Sequence, residues 1–67
     1  MYGKTIRERR EELCMTQEEL AVALGNEPSN KAGVSAWENE INRPTQRTAK
    51  KLAEVLGGRP SEYRLKQ

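Results

Sequence analysis

At 67 residues, with no histidine and a single cysteine, the chain is expected to form one small domain over residues 1–67, with no internal disulfide and no zinc-finger ligand set. Lys and Arg number 12 against 10 Asp and Glu, and a net charge of +2 on its own singles out no class of partner. No apolar run nears the roughly 20 residues that cross a bilayer, and Met1-Tyr2-Gly3-Lys4 lacks a signal peptide's apolar stretch, so a cytoplasmic chain without a membrane partner is expected.

Helical periodicity recurs along the chain, Phe is absent and no strand pattern stands out, which predicts an all-α fold built on aliphatic faces. A first helix is predicted over residues 3–13, with Ile6 and Leu13 two turns apart on its inner side. Thr16-Gln17-Glu18-Glu19 has capping-box spacing: the Thr hydroxyl accepts from the amide of residue 19, whose carboxylate reaches back to the amide of Thr16. It starts a second helix, 17–24, with Leu20, Ala21 and Leu24 inward and Gly25 as its stop. Gly25-Asn26-Glu27-Pro28-Ser29-Asn30 is turn chemistry. Ser29 or Asn30 then caps a third helix reaching about Asn39, anchored by Val34 and Trp37, with Ile41 inward a turn later. Thr45 caps a fourth helix, 46–56, with the stripe Ala49, Leu52, Ala53 and Leu56. Gly57-Gly58 ends it, and Pro60 to Leu65 forms a fifth, short turn or helix that closes the core through Tyr63 or Leu65.

Catalysis lacks its parts. There is no His, no glycine-rich phosphate loop and no metal-ligand cluster, and the Glu-Glu pairs are adjacent, so they point in different directions on a helix. Neither a cofactor nor a small-molecule substrate is implied. Cys14 lies in the bend after the first helix, and nothing near it in sequence is built to lower its pKa. Charge is distributed unevenly: Glu11, Glu12, Glu18, Glu19 and Glu27 gather between the end of the first helix and the middle of the chain, while Lys31, Arg43, Arg47, Lys50 and Lys51 follow, opposed there by Glu38, Glu40 and Glu54.

One ordered set of features goes further: Thr16-Gln17-Glu18-Glu19-Leu20-Ala21, then Leu24-Gly25, then Val34-Ser35-Ala36-Trp37-Glu38, followed by Asn39, Arg43-Pro44 and Lys51-Leu52-Ala53-Glu54-Val55-Leu56-Gly57. This series resembles the Cro/repressor (XRE-like) helix-turn-helix family of bacterial and phage regulators, over roughly residues 4 to 65, with the motif at about 16–39. The resemblance implies a five-helix, lambda-repressor-like domain that binds double-stranded DNA as a transcriptional regulator, a repressor in the first instance. It also implies a homodimer on half-sites about one helical turn apart. The third helix would then enter the major groove by its N-terminal half, leaving Lys31, Ala32, Ser35 and Ala36 to face base edges.

Gln17, Asn30, Asn39, Asn42, Arg43 and Arg47 are the candidates for backbone phosphates, with Gln17 matching a family position that commonly meets one. Arg10 and Glu38 match positions the family often pairs, a structural tie between the first and third helices. Cys14 stands where the family often has Gly or Asn. The resemblance places the dimer contact around Arg59 to Leu65. Two departures stand out: Asn26 to Asn30 is about three residues longer than the usual tight turn, and Gly33 weakens the recognition helix by roughly 1 kcal/mol relative to Ala. A second reading of the same fold is a protein-interaction module, such as an antitoxin or adaptor.

Overall fold

In the computed structural model, which describes residues 1–64, four α helices and two short 3₁₀ turns account for the regular structure. They are α1 (Tyr2–Glu12), α2 (Gln17–Ala23), α3 (Lys31–Glu38) and α4 (Gln46–Leu56), with 3₁₀ turns at Pro28–Asn30 and Pro60–Tyr63. The all-helical class follows the sequence pattern. The expected fifth helix is instead a single 3₁₀ turn of four residues, too short for an α-helical ladder. Leu65, a candidate for closing the core, lies outside the described residues.

Local chemistry sets the helix starts. Thr16 Oγ1 accepts from the Glu19 amide at 3.0 Å while Glu19 Oε1 accepts from the Thr16 amide at 2.7 Å, the reciprocal pair its spacing predicts. Thr45 Oγ1 accepts from the Thr48 amide at 3.2 Å. The start of α3 departs from expectation: Asn30 makes no side-chain cap, and the Pro28–Asn30 turn feeds the chain directly into the helix. Pro28 fixes φ there, so the additional residues of this connection are taken up in one exposed 3₁₀ turn.

Three of the four α helices stop in the same way. After α1, Cys14 N–H bonds to Glu11 O and Met15 N–H to Arg10 O. After α2, Gly25 N–H bonds to Val22 O and Asn26 N–H to Ala21 O, and after α3, Glu40 and Ile41 bond Trp37 and Ala36 likewise. These are Schellman closures, which place the first residue beyond the cap in the left-handed region. Gly25 takes that conformation freely at φ +88°, whereas Cys14 (φ 56°) and Glu40 (φ 58°) carry a Cβ there. The closures also turn two expected core residues outward. Leu13 caps α1 and is 51% exposed, and Ile41, just past the Glu40 reversal, is 74% exposed.

The core comprises Tyr2, Ile6, Leu20, Ala21, Leu24, Val34, Ala49, Leu52 and Tyr63. Trp37, Ala53 and Leu56 pack against it while remaining partly exposed, so Trp37 anchors α3 from the edge of the core and Val34 from within it. The chain start is held by α3's exit: Tyr2 Oη donates to Asn42 O at 3.0 Å, and Gly3 N–H donates to Glu40 Oε2 at 3.2 Å. Gly3 is needed for contact, since a Cβ there would lie 2.5 Å from Glu38 O and 2.8 Å from Trp37 O. At the other end Arg9 gathers the tail. Its guanidinium reaches Glu62 Oε1 at 2.8 Å and Tyr63 Oη at 2.8 Å, and Tyr63 Oη donates to Gly57 O.

Two substitutions test these joints. Gly3→Ala forces two backbone carbonyls apart and should destabilise the fold by about 1–3 kcal/mol in urea unfolding. Cys14→Gly relieves a left-handed side chain and should raise stability by roughly 0.5–1 kcal/mol in the same assay.

Candidate nucleic-acid interface

Glu38, the last residue of α3, organises the surface between α1, α2 and α3. Its side chain is 1% exposed and accepts from three residues on two other helices. Arg10 is bidentate, with Nε 2.6 Å from Oε2 and Nη2 3.3 Å from Oε1. Gln17 Nε2 donates to Oε1 at 3.2 Å and Arg7 Nε to the same oxygen at 3.4 Å. Arg10 also spends Nη1 on Met15 O at 2.7 Å, which ties the α1–α2 bend to the same cluster. Burial acts to raise the Glu38 carboxyl, but the hydrogen bonds from Arg10 and Gln17, with Arg10's charge, outweigh it and hold the group below the usual carboxylate range. Arg10 is shifted up in turn, first by its bond to Glu38.

The candidate base-facing residues divide into two pairs. Lys31 and Ala32, in the first turn of α3, are exposed, while Ser35 and Ala36, a turn further on, are half-buried. Lys31 Nζ lies 3.9 Å from Glu18 Oε2, a surface contact of little energetic weight that leaves the ammonium free to move. Gly33 faces open space, with nothing within 4 Å of where its Cβ would be.

Among the candidate phosphate contacts, Asn30, Asn42, Arg43 and Arg47 are exposed. Asn39 folds back so that Nδ2 donates to Ser35 O at 2.9 Å, which occupies a donor otherwise available to a ligand. Gln17 is half-buried, and one amide hydrogen is committed to Glu38. Its amide nitrogen has a second hydrogen to give.

Further cations stand beside this set. Lys50, Arg59 and Arg64 line an open groove between α4 and the Pro60–Tyr63 turn, together with Gln46, Pro60 and Ser61. Arg64 is steadied by its Nε bond to Pro44 O at 3.0 Å. Glu62 faces the other way, onto Arg9 and the Arg59 amide, and these bonds hold its carboxyl below the usual range. The expected dimer segment from Arg59 therefore has Tyr63 in the core and Arg59, Ser61 and Arg64 at the surface, with Leu65 outside the described residues.

Sequence reasoning passed over Arg7, Arg9, Tyr2 and Glu40, all of which act across more than 30 residues of chain and leave no short-range pattern. Among the described residues, no group of three His, Cys, Asp or Glu is placed to hold a metal, and no helix is long and apolar enough to cross a membrane.

A short second helix, a turn, a following helix with a free N-terminal face and a buried carboxylate locking both to the first helix together form a helix-turn-helix. The chain matches the helix-turn-helix family model over residues 6–63 and belongs to that family, of the Cro/repressor, XRE-like type. The family is one of DNA-binding proteins of the transcription-regulator kind, not of enzymes. No curated protein and no solved structure matches the chain.

The Glu38 cluster makes a prediction about acid. A folded carboxyl held below its unfolded value contributes stability that is complete above the unfolded pKa, about 4.3, and is lost as pH falls through the lower folded value. Urea midpoints should therefore drop on acidification toward pH 3, and the drop should be smaller in Glu38→Gln. Arg10→Ala, which leaves a buried carboxylate short of its main partner, should cost about 3–5 kcal/mol at pH 7.

Proposed function

We propose that the chain is a sequence-specific transcriptional regulator, a repressor in mode, that lays α3 in the major groove of double-stranded DNA. The observation that carries this reading is the free first turn of α3: Lys31 and Ala32 are exposed there, while Val34 and Glu38 root the helix in the core. A helix held from behind and small-sided in front suits close approach to base edges. Lys31 donates to guanine O6 or N7, Ser35 takes either role, and the methyls of Ala32 and Ala36 meet thymine methyls.

The phosphate-contacting set is Gln17, Asn30, Asn39, Asn42, Arg43 and Arg47, with Arg43 the principal charge. Asn39 joins it by exchanging its bond to Ser35 for one to phosphate. The Arg10–Glu38 pair fixes the angle between α1 and α3 and does not itself touch bases. Too few base pairs meet one such domain for strong discrimination, so two copies acting on adjacent half-sites complete the reading. The segment from Arg59 onward is the candidate contact between copies.

Binding to random and selected duplexes at two salt concentrations tests the proposal. Affinity should fall steeply with salt. Arg43→Ala should weaken all duplexes alike and reduce the salt slope by about 1, whereas Lys31→Ala should change the preferred sequence at a cost of about 1–3 kcal/mol on the favoured site. A chain that ignores every duplex at low salt would overturn the reading.

A further inference from the structure

Glu38 carries one negative charge and is approached by two guanidinium groups, and the two are not used equally. Arg10 is 12% exposed and spends Nε, Nη1 and Nη2 on protein acceptors. Arg7 is 48% exposed, and its only bond among the described residues is the 3.4 Å contact of Nε with Glu38 Oε1. Arg10 alone neutralises the carboxylate, so Arg7 contributes a surplus positive charge at the edge of the cluster, with both Nη groups unspent. Gln17 Nε2 donates to the same Oε1. Arg7 Nε and Gln17 Nε2 are therefore no farther apart than those two bonds laid end to end, and one tetrahedral anion can reach both side chains.

From this we infer that Arg7 and Gln17 together form a seat for one DNA phosphate, with Glu38 as the positioning residue that aims both. The inference rests on the reading of the chain as a duplex-DNA binder and adds to it a contact from α1. Glu38 Oε1 takes one hydrogen from Gln17, which fixes the plane of that amide and leaves the second hydrogen directed away from the carboxylate. The same oxygen holds Arg7 by Nε, at the inner edge of the guanidinium, so the Nη fork remains outside. A planar fork beside an amide N–H matches the oxygens of a phosphate. A loosely tethered arginine of this kind loses little by turning to an anion, because its present bond is long and its head is already wet.

The test compares Arg7→Ala with Lys4→Ala, an equal loss of charge from an exposed site on the same helix. In duplex titrations between 50 and 200 mM salt, Arg7→Ala should flatten the log–log slope by about 1, so that the variant loses about 3-fold less affinity than the parent over that range. Its effect should be the same for every duplex. Lys4→Ala should leave the slope within error of the parent, and Arg7→Lys should retain most of it. An unchanged slope in Arg7→Ala would overturn the proposal and reduce Arg7 to a structural partner of Glu38, visible then only as a lower urea midpoint. A second measurement needs no variant and no duplex: inorganic phosphate titrated into the parent protein should shift the Arg7 Nε and Gln17 side-chain resonances together, with the Asn26 amide unmoved. If phosphate moves neither, the seat does not exist even where duplex binding is normal. If phosphate moves both but no duplex binds, the seat stands and the DNA reading falls.

Discussion

Glu38 places a full charge where water cannot reach it, and the rest of the molecule is arranged around that constraint. An ionised carboxylate without partners in such a position would cost several kcal/mol. Here it is met by Arg10 from α1 and Gln17 from α2, with Arg7 at the margin. These bonds are directional, so they fix angles as well as distances. Apolar contact through Val34, Leu20 and Ile6 would hold the three helices together but would let them slide. The angle of α3 to α1 and α2 decides where an exposed N-terminal face points, and it is set by a buried ion pair at the helix's last residue.

The same economy appears at the joints. Three helices end in Schellman closures, and each closure leads into the contact that follows: Cys14 to the Met15 carbonyl that Arg10 holds, Gly25 to the Pro28–Asn30 turn, and Glu40 to the Gly3 amide 37 residues away. Two of the three put a side chain in the left-handed region, a local cost that contacts elsewhere must offset. For Glu40 the compensation is visible, since its carboxylate caps α1 across 37 residues of sequence. For Cys14 the side chain itself is exposed and offers none.

What could be read from the sequence was what is local. Thr16 and Glu19 announce their reciprocal bonds by spacing, Thr45 its cap, and Ala49 and Leu52 their face, because each depends on neighbours within a turn or two. Leu13 and Ile41 depart from their expected places because periodicity carries a helix face past its end, and neither left-handed residue beside them is a glycine that would announce the reversal. Tyr2, Gly3 and Arg9 gave no signal at all, since their partners lie 37 to 54 residues away. The pairing expected of Arg10 and Glu38 came from family resemblance and not from spacing; its extension to Gln17 and Arg7 needed the folded geometry. The Pro28–Asn30 turn lies between these cases: its chemistry was plain, but how a longer connection would enter α3 was not.

A net charge of +2 hides an uneven placement of charge along the chain. Among the described residues, Glu19 and Glu40 are engaged by backbone amides, Glu38 by Arg10, and Glu62 by Arg9 and the Arg59 amide. Their negative charge is spent on caps and internal pairs. Arg43, Arg47, Lys50, Lys51, Arg59 and Arg64 make no ion pair among the described residues and sit in the second half of the chain, where Glu54 is the one acid without a bonded partner. Exposed acids such as Glu11, Glu12, Glu18 and Glu27 lie instead on α1, α2 and the connection that follows. The molecule is thus polarised along its sequence, and such a field orients a polyanion before any contact forms. Because the Debye length near physiological salt is about 8 Å, only phosphates close to these side chains feel their charge. Composition alone therefore understates the cationic surplus carried by the second half of the chain.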